Sequence, residues 1–79
     1  MSFSNELRQI RISTYKNQRN FAKAIKVPYG TYPAWETGAA LPRIERVKKV
    51  CQEMRNNLGI KQERIDRLLH EYESDKRYY

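Results

Sequence analysis

The sequence predicts an all-α fold, a small bundle of about five short helices within one domain spanning residues 1–79. Three observations lead there. Apolar residues recur at spacings of three and four in each periodic segment, and no segment alternates as a half-buried strand would. Breakers at Pro28, Gly30, Pro33, Gly38, Pro42 and Gly59 divide the chain into pieces too short for long helices. A chain of 79 residues also buries only roughly 60% of its unfolded surface, which suits a compact bundle with a modest core.

Phe3, Leu7, Ile10 and Thr14 mark the apolar face of a first helix, with Ser4 as its N-cap. The poor helix formers from Ile12 to Tyr15 end it. Asn17 offers the next N-cap, and Phe21, Ala22 and Ile25 face inward from a short second helix. Pro42 suits the first turn of a fourth helix, whose apolar face is Ile44, Val47, Val50, Cys51 and Met54. Asn56 to Gly59 stop that helix, Gly59 being able to take a left-handed conformation. Ile65, Leu68, Leu69 and Tyr72 mark a last helix over 60–75, followed by a frayed polar tail beginning near Asp75 and running over 76–79. Packing onto the chain's own core is the commoner role for such a face, and a homodimer contact is the other.

Between the second and fourth helices lies Val27-Pro-Tyr-Gly-Thr-Tyr-Pro-Ala-Trp-Glu-Thr-Gly38. On a helix beginning near Pro28, Tyr32 and Trp35 share one buried face and Gly38 supplies the stop. Pro33 conflicts with a helix interior, at a cost of roughly 3 kcal/mol, so the helix is expected to be short and irregular in its first half. The expected core of this region is Phe21, Ala22, Ile25, Val27, Tyr32 and Trp35.

The formal net charge is +7, from 16 basic and 9 acidic side chains. From Leu7 to Trp35 there are six bases (Arg8, Arg11, Lys16, Arg19, Lys23, Lys26) and no acid. Such a stretch is an electrostatic footprint for an anionic partner, of which nucleic acid is the commonest. Lys16, Arg19, Lys23 and Lys26 align in one stripe if helical geometry extends over all of them. The mixed charges from Arg43 onward read as solvated surface.

No catalytic or metal-binding set emerges. Cys51 reads as a buried thiol in a reducing cytosol, and His70 as a solvated helix residue without a ligating partner. No cofactor is expected. With neither an export signal nor an apolar run of membrane-spanning length in the sequence, the expected location is the cytoplasm or nucleoid of a bacterial host, with no membrane partner.

The run from Asn17 to Pro42 resembles the helix-turn-helix of the phage Cro and repressor family, whose bacterial relatives read roughly Thr-Gln-x-x-Leu-Ala-x-x-Leu-Gly-Val-Ser-x-x-x-Ile-x-x-Trp-Glu-x-Gly. Gln18, Ala22, Ile25, Val27, Trp35, Glu36, Gly38 and Pro42 fall into register without a gap, with Phe21 and Tyr32 at apolar positions. The resemblance implies a lambda-repressor-like bundle with its helix-turn-helix over 17–37, the second helix over phosphates and the third in the major groove. It implies a backbone contact from Gln18, to which the nearby Lys16, Arg19 and Lys23 add charge contacts, and it places Pro28, Tyr29, Gly30, Thr31, Pro33 and Ala34 on the recognition surface. The chain departs from the family in two respects. Lys26 replaces the turn glycine, and the base-reading positions carry almost no hydrogen-bonding side chains.

Two functions follow from the resemblance. The first is a Cro-like transcription regulator that binds operator DNA in a phage lysogeny switch. The second is an antirepressor that uses the same surface, rich in tyrosine and proline, to bind and inactivate a cognate repressor protein. An enzyme is not expected.

Overall fold

A computed structural model of the chain describes residues 2–77. The helices are α1 (Phe3–Ser13), α2 (Gln18–Ala24), α3 (Tyr32–Thr37), α4 (Ile44–Leu58) and α5 (Gln62–Lys76). There is no strand among the described residues. α1 lies against both α3 and α5, and α2 against α3 and α4, an arrangement consistent with the lambda-repressor-like bundle the resemblance implied.

α1 starts earlier than its sequence suggests. Ser2, not Ser4, is the N-cap: it is extended, and its Oγ accepts from the Asn5 N–H at 3.2 Å. The Ser2 carbonyl already receives the Glu6 N–H at 2.9 Å, which places Ser4 inside the helix. Asn17 caps α2 as expected, its side chain accepting from the Asn20 N–H at 2.8 Å.

α3 starts later than expected. Pro28 does not begin it, since residues 28–31 form a turn in which the Pro28 carbonyl accepts the Thr31 and Tyr32 N–H groups at 3.0 and 3.2 Å. Pro33 then stands in the helix's first turn, where its missing donor would have had no intrahelical partner. The penalty expected for an interior proline therefore does not arise. Gly38 ends the helix at φ 82°.

Pro42 is also displaced. α4 begins at Ile44 with Arg43 as its N-cap, and the buried Pro42 lies just outside, its carbonyl accepting the Tyr72 hydroxyl at 2.7 Å. Gly59 closes α4 at φ 62°. α5 continues through Lys76, so the frayed tail does not begin at Asp75. That residue's Oδ2 accepts the Phe3 N–H at 2.9 Å, and the Phe3 and Tyr72 rings meet edge to face at 5.6 Å. The rest of the expected tail, residues 78 and 79, lies outside the described residues.

The core joins every helix: Phe3, Leu7 and Ile10 from α1, Phe21 and Ala22 from α2, Tyr32 and Trp35 from α3, four residues of α4, and Ile65, Leu68 and Tyr72 of α5, with Ile25 and Val27 from the turn. Leu69 is partly buried against it. Burial pushes the Cys51 thiol up to about 11, as expected of a packing residue and not of a reactive thiolate.

Lys26, where the family resemblance implied glycine, is left-handed at φ 59°. A Cβ in that region costs roughly 1 kcal/mol. The ion pair it makes with Glu53, at 3.6 Å, is exposed on the lysine side and offsets little of this. Lys26→Gly should therefore raise stability by about 0.5–1 kcal/mol in a urea titration, the more flexible unfolded chain taking back part of the gain.

Candidate nucleic-acid interface

The outward side of the helix-turn-helix is built by α2 and the segment that follows it. α2 is seven residues long. A helix this short needs tertiary support, which comes from Phe21 and Ala22 on its inner face. The opposite face then presents Arg19 and Lys23 to solvent, four positions apart.

Lys16 and Lys26 fall outside α2, so the four cations do not form the single helical stripe anticipated. Lys16 precedes the N-cap, is half-buried, and has its carbonyl engaged by Arg11 Nη1 at 3.0 Å. Lys26 turns toward α4.

Pro28, Tyr29, Gly30 and Thr31 are exposed in the turn before α3, and Pro33 and Ala34 are half-buried in its first turn. Tyr29 keeps 41% of its surface. The Arg19 guanidinium lies 4.5 Å from the Tyr29 ring centroid, a cation–π contact that ties the turn before α3 to α2. A planar cation is thereby stationed over an exposed aromatic ring.

Behind this surface sits a polar cluster that local sequence patterning does not reveal. Glu36 is buried, with 3% of its side chain exposed. Arg11 reaches it from α1 with both Nε (2.6 Å, to Oε2) and Nη2 (3.2 Å, to Oε1). Gln18 Nε2 donates to Oε1 at 3.1 Å, and the Tyr32 hydroxyl donates to Oε2.

Burial alone would raise the Glu36 carboxyl, but the hydrogen bonds from Arg11, Tyr32 and Gln18 outweigh it and hold the group below the usual carboxylate range. Burial, followed by the bond to Glu36, drives the Tyr32 hydroxyl far above its ordinary value. One carboxylate thus fastens α1, α2 and α3 together where the turn begins.

Arg11, counted among the cations of the acid-free stretch, is consequently engaged within the fold. Gln18, implied as a backbone contact, has a side-chain donor on Glu36. The available signal was that Glu36 is the first acid after Glu6, immediately beyond the acid-free stretch.

His70 is exposed. No group of His, Cys, Asp or Glu among the described residues could hold a metal ion. No described helix is long and apolar enough to cross a membrane.

Part of the chain is similar to a phage repressor. Over 50 residues it is 36% identical to the cryptic phage CTXphi transcriptional repressor RstR of Vibrio cholerae, a match covering 63% of this chain. The match spans 45% of that relative, less than half its length. No protein-family model matches the chain, and no solved structure matches it significantly.

Proposed function

We propose that the chain is a DNA-binding transcription regulator that sets α2 over the phosphates and the 28–34 segment in the major groove. The observation that carries this reading is an exposed face free of acid, where α2 presents Arg19 and Lys23 and Arg19 lies over Tyr29 of the open Pro28–Thr31 turn. The partial similarity to a protein named as a transcriptional repressor supports it. An operator in a phage lysogeny switch is the DNA this reading favours. Lys16 and Gln18 complete the backbone set, Gln18 from the first position of α2, where helix N–H groups suit a phosphate.

The test is binding to duplexes from the protein's own promoter region across a range of salt. Arg19→Ala should weaken binding to all sequences about equally and flatten the dependence of log affinity on log salt by about one unit. Unchanged affinity and slope would remove α2 as the phosphate clamp.

A second reading, a modulator that binds a repressor protein, is favoured by the makeup of the turn. Tyr29 is a partly exposed aromatic beside Pro28, with no Asn, Gln, Arg or Lys side chain from Pro28 to Ala34. Tyr29→Ala distinguishes the two. In a DNA reader it lowers preference for the operator by about 1–3 kcal/mol and spares nonspecific binding. In a repressor ligand it lowers affinity for that protein by about 2 kcal/mol or more and spares DNA binding.

A further inference from the structure

The α1–α2 corner and the α4–α5 corner face each other across a groove of about 590 Å³, bordered by Ser13, Thr14, Lys16, Gly59, Lys61 and Arg64. No acid contributes to its lining. None of its three cations belongs to an ion pair among the described residues, whereas Arg11 and Lys26 elsewhere each meet a glutamate. Lys61, Arg64 and Arg67 follow one another at three-residue spacing and also line the next hollow along α5, where Glu63 is the one acid. The cations therefore continue from the groove along the first turns of α5, beside Glu63 and Asp66.

Between the groove residues Thr14 and Lys16 stands Tyr15. It is left-handed at φ 61° and 98% exposed. A tyrosine in this conformation is strained, and a ring so exposed has no packing in the fold to offset it. A basic groove flanked in the chain by an exposed tyrosine brings together the two elements by which proteins hold a nucleic-acid strand: charge along the backbone and a surface for a sugar or base.

We propose that this groove is a second phosphate-binding surface for nucleic acid, reached from the helix-turn-helix through Lys16 and distinct from the α2–α3 face. The proposal rests on the reading of the chain as a DNA-binding protein. Arg64 offers a forked donor to a phosphodiester, Lys16 and Lys61 act as point charges, and Tyr15 covers the sugar or an unpaired base. The phosphodiester comes either from the outer flank of the duplex held by α2 or from a second, single strand.

The test compares the full chain with Lys61→Gln/Arg64→Gln, using a short duplex of about 10 base pairs, a long one of about 25 and a labelled oligothymidylate. If the flank of the same duplex fills the groove, the double variant loses about tenfold in affinity for the long duplex and its salt slope flattens by up to about two units, while the short duplex binds as before. If a second strand fills it, both duplexes bind normally, but the wild-type complex takes up oligothymidylate and the variant complex does not. Tyr15→Ala weakens that uptake as well. Lys61→Arg/Arg64→Lys, which keeps both charges, should retain the wild-type salt slope, and an unchanged melting curve excludes a folding defect.

A double variant identical to wild type on the long duplex and in oligothymidylate uptake overturns the proposal. Should Arg19→Ala still flatten the slope in that case, the helix-turn-helix reading stands without it. A wild-type chain that binds no duplex ends both.

Discussion

Replacing Glu36 with alanine should destabilise the fold by about 3–5 kcal/mol, because the Arg11 guanidinium then loses its carboxylate in a largely dry site. Three donors lose an acceptor together: Arg11, Gln18 and the Tyr32 hydroxyl. Tyr32 is fully buried, so its hydroxyl has no water to turn to. Glu36→Gln keeps the shape and removes the charge, so its deficit should be smaller but still clear in urea denaturation at neutral pH.

The pH dependence has a fixed sign. The folded-state value of Glu36 lies below the unfolded one, so its contribution is complete above the ordinary carboxylate value. It declines as pH falls through the lower, folded value. The stability gap between wild type and Glu36→Gln should therefore be widest near neutrality and narrow on acidification. A gap independent of pH would mean that the carboxylate's charge does not stabilise the fold.

Trp35→Ala should have an effect of similar size, about 3–5 kcal/mol, from the cavity it leaves. Trp35 is 4% exposed, and its ring packs against Tyr32 at 6.3 Å, which in turn packs against Phe21 at 5.6 Å. The loss falls on α3, a helix of six residues that could not persist by local hydrogen bonding alone. With its indole gone, the segment carrying Pro33 and Ala34 is no longer seated on α1 and α2. Circular dichroism during urea unfolding measures the stability loss without relying on indole fluorescence. Duplex affinity, measured at a temperature where the variant remains mostly folded, should also drop. A stability loss below about 1 kcal/mol would place Trp35 outside the weight-bearing core.

The helices were legible because spacings of three and four report a buried face directly, as Leu7 and Ile10 or Val47 and Val50 demonstrate. Their starting points were less so. Ser2 and Ser4 are both competent caps, and only the backbone decides between them. Prolines 28, 33 and 42 are each compatible with a first turn, yet only Pro33 occupies one.

Of the candidate site the sequence offered composition, an acid-free run of bases, and Tyr29, which is exposed in the turn. Charge counting could not show that Arg11 is held by Glu36, since a pairing across 25 positions leaves no local periodicity. Nor could it assign Lys16, Lys61 and Arg64 to one groove, because that depends on how two corners meet in space. The left-handed state of Lys26 was inferable only through the family resemblance, as nothing in lysine itself favours it.

The bond between the Phe3 N–H and the Asp75 carboxylate spans 72 positions, and it has a dynamic counterpart. Helix ends ordinarily open independently and exchange their amide hydrogens early. Here the first turn of α1 and the last turn of α5 share that bond and the Phe3–Tyr72 contact, so neither can open without unlatching the other. Their exchange protection should rise and fall together as one cooperative unit. Since α1 also supports α3, that unit extends from the clasp toward the exposed turn that precedes α3.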